Sequence, residues 1–122
     1  VLAQLPNVEL KQYGRGCFIV KKPDQEDVKA AEKGWGEVSE IILKNLYDII
    51  ILDEICVALY FRLLNVKDVI SVLKQKPYGT EIVLTGRYAP SELIDLADLV
   101  TEMKEIKHYY QKGVKARKGI EY

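Results

Sequence analysis

Two adjacent carboxylates, Asp53 and Glu54, directly follow a short apolar run, Ile49 to Leu52. A continuous apolar run with β-branched residues is typical of a central strand of a parallel sheet that is covered on both faces. Carboxylates at the carboxyl end of such a strand lie at the sheet edge where α/β proteins bind ligands. Placing two acids there is costly unless a cation or a hydrogen-bond network holds them. The pair therefore predicts a cation site.

The pattern of an apolar strand followed by Asp-Glu has the Walker B form of nucleotide-binding proteins. In those proteins a carboxylate lies near the Mg²⁺ of a nucleoside triphosphate. A purely structural alternative stays open at this point. Asp53 could cap a following helix, with Glu54 in its first turn, where acids are favoured. A motif this short also occurs by chance, so both interpretations are retained.

The composition suits one soluble domain with a hydrophobic core, since the 122 residues are 48% apolar and 30% charged. Eighteen basic and eighteen acidic residues cancel, so no global field favours nucleic acid or an anionic membrane. No apolar run approaches the length of a membrane-spanning helix. We expect no signal peptide, and Cys17 and Cys56 form no disulfide framework. We expect a cytoplasmic setting, with Cys56 as a buried free thiol.

The first third of the chain predicts a helix end at Val1 to Leu5 and a half-buried strand at Val8 to Tyr13. An apolar loop, Cys17 to Val20, should follow. Pro23 and Asp24 then open a long helix that fades near Asn45. Its apolar residues recur at spacings of three and four and share one face: Val28, Ala31, Trp35, Val38 and Ile42. Gly34 and Gly36 predict a kink or close packing around Trp35, which we expect to anchor the core.

Beyond the acids the chain alternates between helical and strand patterns. Ile55 to Leu64 is too apolar for an exposed helix, so we expect it to be buried or to lie at a subunit contact. Asn65 should cap the next helix, with Asp68 at its third position. Strands are predicted at Thr80–Thr85 and Leu99–Met103, separated by a helix that begins near Pro90, which implies a parallel sheet with right-handed crossovers. The tail from Lys104 has little regular pattern, and its lone His108 is expected to be structural.

Three stretches together resemble the ATP:corrinoid (cobalamin) adenosyltransferase family of the bacterial P-loop type. A Walker-B-like strand is common and TGR alone is weak, but the ordered set is specific. The resemblance runs over nearly all of the chain. It is carried by YDIIILDEICVAL, EIVLTGRYAPSELIDLADLVTEMKEIKH and GVKARKGIEY.

The resemblance implies a three-layer, parallel-sheet α/β fold of the P-loop nucleotide-hydrolase (recombinase) type, usually working as a homodimer. Residues 1–122 would be the C-terminal part of that single domain. Family members transfer the 5′-deoxyadenosyl group of ATP to the cobalt of a reduced corrinoid and release triphosphate. A reductase that delivers electrons is a further implied partner. Cobalt(I) is itself the nucleophile at the ribose C5′ carbon, so the enzyme needs positioning and charge stabilisation rather than a general base.

Site roles follow from the same resemblance. Glu54, with Asp53, would hold Mg²⁺ or its water shell. Thr85 and Arg87 would bind the nucleotide, with Arg87 facing the phosphates as a fixed cation. Without the resemblance, Arg87 would be interpreted as a surface charge beside a helix. The corrinoid-side loop would be Gly16, Cys17, Phe18 and Ile19.

The sequence departs from the family pattern in two places. The corrinoid loop of the family often has a Gly-Phe-Thr-Trp form, whereas here only Phe18 of Gly16 to Ile19 is aromatic. The family also begins with a G-x-x-G-x-G-K-[ST] phosphate loop, but none of the eight glycines here is followed by lysine. We therefore expect that Val1 is not the biological start, and that a further strand, loop and helix precede it or a partner supplies that strand.

Two other functions stay open on the sequence. One is a corrinoid-binding module without catalysis, which would bind corrinoid with no dependence on ATP. The other is a P-loop ATPase fragment, which would release phosphate or diphosphate instead of triphosphate.

Overall fold

The computed structural model describes residues 2–14 and 23–120 and shows an α/β fold with a small parallel sheet. This confirms the α/β class and the parallel pairing predicted from the sequence. In chain order the elements are a 3-10 turn at Leu2–Gln4, α1 at Gln25–Leu43, β1 at Ile49–Leu52, α2 at Ile55–Tyr60, α3 at Val66–Leu73, β2 at Glu81–Leu84, α4 at Ser91–Leu96, and a second 3-10 turn at Tyr109–Lys112.

Helix α1 begins directly after its N-cap residue, Asp24. The Asp24 carboxylate accepts from the backbone N–H groups of Glu26 and Asp27, and the Asp27 side chain accepts from the Asp24 N–H, which completes a capping box. The helix then runs without a break past both of its glycines. Gly34 is buried, and a Cβ there would lie 2.8 Å from Cδ1 of Tyr13. Close packing, rather than a kink, therefore accounts for this glycine.

The two strands pair in parallel and in register, so both end at the same edge. Ile50 lies opposite Ile82, and Leu52 lies opposite Leu84. Ile82 and Leu84 pack against the core, which consists of Leu59, Val69, Leu73 and Leu93. Trp35 also packs against this cluster, as predicted. The core thus lies between the inner face of the sheet and the surrounding helices.

The outer face of the sheet is largely apolar and open within the described residues. Ile49 and Ile51 of β1 are 60% and 63% exposed, and Val83 of β2 is 44% exposed. The prediction that β1 is covered on both faces is therefore wrong for the part of the chain that the structure describes. Its inner residues behave as expected, since Leu52 is buried.

Two predicted strands do not form. Val8 to Tyr13 and Leu99 to Met103 have no strand assignment, and Leu99 and Met103 are 85% and 92% exposed. The physical reason is that strand propensity describes fit to a paired, half-buried surface, and neither segment has a paired neighbour in the described ranges. Leu2–Gln4 is a single 3-10 turn rather than the end of an α-helix. Over residues 2–14 and 23–120, no helix combines the length and apolarity needed to cross a membrane.

Candidate functional site

Asp53 and Glu54 form a turn between the end of β1 and the start of α2, which we call the acidic turn. Glu54 is the N-cap residue of α2 and adopts a left-handed conformation, with φ 59° and ψ 20°. For a residue with a side chain this conformation costs about 1–2 kcal/mol. Such strain persists where the surrounding structure imposes it, and it concentrates at functional sites.

The structural alternative for these two acids is wrong in its predicted form. The N-cap is Glu54 rather than Asp53, it makes no side-chain capping hydrogen bond, and the first turn of α2 contains no acid. A side-chain capping hydrogen bond therefore does not explain these carboxylates, whereas the favourable place of an acid at a helix N-terminus still applies to Glu54.

The Thr85 hydroxyl connects the acidic turn to the end of β2. It donates a hydrogen bond to Oδ1 of Asp53 at 2.6 Å and accepts one from the backbone N–H of Glu54 at 3.0 Å. The backbones join here as well, because the Thr85 N–H donates to the Leu52 carbonyl and the Cys56 N–H donates to the Thr85 carbonyl, both at 3.2 Å. The structure thus joins three predicted site residues by hydrogen bonds: Asp53, Glu54 and Thr85.

Gly86 allows the chain after Thr85 to approach the start of α2. Its φ is +130°, and a Cβ at this position would lie 3.0 Å from Cβ of Cys56 and 3.3 Å from the backbone nitrogens of Cys56 and Val57. Both the backbone conformation and the space therefore require glycine. The sequence signal was the TG step directly after a strand, but its contact with α2 was not predicted.

Replacing Gly86 with alanine should lower the free energy of unfolding by about 1–3 kcal/mol, because it adds backbone strain and a close contact. Gly79→Ala is the matched control, since a Cβ there meets nothing within 4 Å. Urea denaturation measures both variants. Equal stabilities for the two would contradict the contact between Gly86 and α2.

Arg87 lies two residues beyond Thr85 and is exposed. Arg87 has no hydrogen bond or ion pair within residues 2–14 and 23–120, so nothing in that part of the chain neutralises its charge. Next to it, Tyr88 adopts a left-handed conformation with φ 62°, and its ring lies 4.4 Å from that of Tyr60 between centroids. Both tyrosines are more than half exposed. This aromatic pair beside Arg87 was missed at the sequence level, where Tyr60 was one residue of an apolar run.

Cys56 is buried with a free thiol, as predicted. Burial, and secondarily the negative charge of Glu54, raises the pKa of the Cys56 thiol above its ordinary value. The thiol therefore stays protonated near neutral pH and adds no negative charge to the acidic turn.

The acidic turn contains two carboxylates that could hold a hard divalent cation. No cluster of three or more potential metal-ligating His, Cys, Asp or Glu side chains occurs in residues 2–14 and 23–120, so the described chain offers no complete protein cage. Mg²⁺ in nucleotide sites is held by one or two carboxylates, with phosphates and waters completing its shell. Asp53 and Glu54 are the two carboxylates of this turn that could hold such an ion, and carboxylate oxygens suit Mg²⁺ better than a soft metal.

His108 has a local role. Its Nδ1 accepts a hydrogen bond from the Tyr110 backbone N–H at 3.0 Å, which caps the 3-10 turn at Tyr109–Lys112. This confirms the prediction that the residue is structural. The predicted corrinoid loop, Gly16 to Ile19, lies outside the described residues.

The fold and the site define an α/β protein with a Walker-B-like acidic turn at the carboxyl edge of a parallel sheet. A model of one family, ATP:corrinoid adenosyltransferase BtuR/CobO/CobP, matches residues 1–122. The chain belongs to this family.

Individual relatives agree with the family assignment. A corrinoid adenosyltransferase of Sinorhizobium sp is 45% identical over 110 residues, which cover 89% of this chain and 51% of that protein. One of Pseudomonas aeruginosa is 34% identical, over 89% of this chain and 54% of that protein. The corrinoid adenosyltransferase CobA of Salmonella typhimurium is 33% identical, over 94% of this chain and 59% of that protein. The chain thus spans a little over half the length of each of these three relatives.

Proposed function

We propose that the protein containing this chain transfers the 5′-deoxyadenosyl group of ATP to the cobalt of a reduced corrinoid and releases triphosphate. This reaction would serve the biosynthesis or salvage of adenosylcobalamin. The observation that carries the proposal is the strained, hydrogen-bonded acidic turn in a chain of the corrinoid adenosyltransferase family. Relatives with that name support the transferase class, and the details of the reaction are our proposal.

In this reaction the acidic turn would help to stabilise the triphosphate leaving group. When a reduced cobalt attacks the C5′ carbon, the bond from C5′ to oxygen breaks and negative charge grows on the departing triphosphate. A magnesium ion bound to the phosphates would offset that charge. Asp53 has one carboxylate oxygen bonded to Thr85, which leaves Oδ2 for the cation or its water shell. Glu54 would supply the second carboxylate.

Arg87 is proposed to contact the phosphates. Its position just beyond the end of β2 places it at the same sheet edge as the acidic turn, and its charge has no partner among the described residues. A guanidinium can bind two phosphate oxygens at once and keeps its charge at any physiological pH.

Residues 1–122 are proposed to be the C-terminal part of a larger nucleotide- and corrinoid-binding domain of the three-layer P-loop type. The exposed apolar face at Ile49, Ile51 and Val83 supports this, because an open apolar sheet face is a place for further packing. Gly16 to Ile19 are proposed as the corrinoid-side loop. A homodimer and an electron-delivering reductase are the proposed partners.

Spectroscopy under anaerobic, reducing conditions tests the proposal. Incubation of the protein with MgATP and cob(I)alamin should give the visible spectrum of an adenosylated corrinoid, and omission of ATP should abolish it. The same corrinoid spectrum with and without ATP, together with unchanged corrinoid affinity, would instead support a carrier.

A further inference from the structure

The hydroxyl of Thr85 makes two hydrogen bonds to the acidic turn, one as a donor and one as an acceptor. It donates to Oδ1 of Asp53 at 2.6 Å and accepts from the Glu54 N–H at 3.0 Å. A threonine hydroxyl has one hydrogen to donate. While the bond to Asp53 exists, Thr85 therefore has no hydrogen left for a phosphate oxygen. This geometry favours a role through the two acids over direct nucleotide contact.

The two bonds constrain different parts of the turn. The bond to Oδ1 limits rotation of the Asp53 carboxylate. The bond to the Glu54 N–H holds the backbone of a residue that is in the left-handed conformation, with φ 59°. The parallel register brings these groups together. Leu52 pairs with Leu84, and the residues that directly follow them are Asp53 after β1 and Thr85 after β2.

We propose that Thr85 is a positioning residue that orients Asp53 and Glu54 for the metal of a bound nucleotide. The inference rests on the proposed metal role of those two acids. Groups that hydrogen-bond to metal-binding carboxylates fix their orientation, and their loss typically costs about 10- to 100-fold in metal affinity or activity. Thr85 differs from serine in its branched Cβ, which restricts rotation of the hydroxyl and keeps it between its two partners.

Three variants distinguish a positioning role of Thr85 from a general effect on the stability of the fold. Thr85→Val keeps the shape and removes the hydroxyl, whereas Thr85→Ser keeps the hydroxyl. Thr80→Val is the matched control, because Thr80 immediately precedes β2 at its opposite end, is buried, and bonds through its hydroxyl to Asn45 and the Tyr47 carbonyl. Thr80→Val should destabilise the fold without affecting the acidic turn.

Two measurements, made on a protein that contains this chain and binds nucleotide, detect the effect of each substitution on the acidic turn without relying on turnover. The first is the affinity for Mn²⁺ in the presence of ATP, followed by water proton relaxation. The second is hydrogen exchange of the Glu54 amide, followed by NMR. Thr85→Val should weaken Mn²⁺ binding by about 10- to 100-fold and speed exchange at Glu54. Thr85→Ser should restore most of both, and Thr80→Val should leave both at parent values.

Three results would overturn the inference. Parent-like Mn²⁺ affinity in Thr85→Val would show that the hydroxyl does not act on the metal site. Weakened affinity with unchanged exchange at Glu54 would indicate direct nucleotide contact by Thr85. An equal loss in Thr80→Val would indicate general destabilisation. The proposed reaction fails separately: Thr85-dependent Mn²⁺ binding without any adenosylated corrinoid would leave this inference standing and refute that function.

Discussion

The proposed metal role of Glu54 predicts that Glu54→Gln reduces adenosyl transfer by about 100-fold, because loss of a carboxylate that holds a metal removes several kcal/mol of transition-state stabilisation. Glutamine keeps the size of the side chain, so the turn between β1 and α2 should still form. The rate of adenosylated corrinoid formation at saturating Mg²⁺ and ATP measures the effect, in a protein that contains this chain and binds nucleotide.

Glu81→Gln is the matched control for Glu54→Gln. Glu81 is exposed at the opposite end of the sheet, where it begins β2, so the same change of charge should leave turnover at the parent value. Near-normal turnover in Glu54→Gln at saturating Mg²⁺ would remove Glu54 from the metal site.

Arg87→Ala should lower turnover and ATP affinity together, by about 10- to 100-fold, since a charge-assisted hydrogen bond contributes about 1.5–3 kcal/mol. Arg87→Lys should fall between parent and alanine variant, because lysine keeps the charge but loses the planar, two-pronged contact with phosphate. Steady-state kinetics with varied ATP measure both variants.

Lys33→Ala controls for the loss of one surface positive charge, because Lys33 is exposed on α1. If Arg87→Ala behaves like Lys33→Ala, Arg87 is a surface residue and its assignment to the phosphates fails. A strong effect of Arg87→Ala that Arg87→Lys fully restores would indicate that charge alone matters at this position.

Local signals predicted much of this fold. The cap at Asp24 and the cap at Asn65, whose side chain accepts from the Lys67 N–H, act within one turn of the chain and can be recognised from nearby residues. Strand β1 was predicted for the same reason, since its four apolar residues stand next to a turn. The predicted strand at Leu99 to Met103 failed because pairing depends on a distant neighbour that local sequence does not specify.

The site shows the same division between local and distant information. Asp53 and Glu54 were recognisable as a pair because they are adjacent. The bond from Thr85 to Asp53 joins residues 32 positions apart and exists only because β1 and β2 end in register. Likewise, the hydrogen bond from the Glu54 N–H to Thr85 and the close approach of Gly86 to α2 join segments that follow the ends of the two paired strands. Sequence patterns identified these residues as candidates, and the parallel pairing of the strands determined which of them contact one another.

Phosphorus NMR of the products tests the central claim most directly. The protein would be incubated with MgATP and cob(I)alamin, and the released phosphates would be compared with the adenosylated corrinoid formed. We expect one equivalent of triphosphate for each adenosylated corrinoid, and neither product without the corrinoid. Release of phosphate or diphosphate at a rate that does not depend on the corrinoid would contradict the account and identify an ATPase.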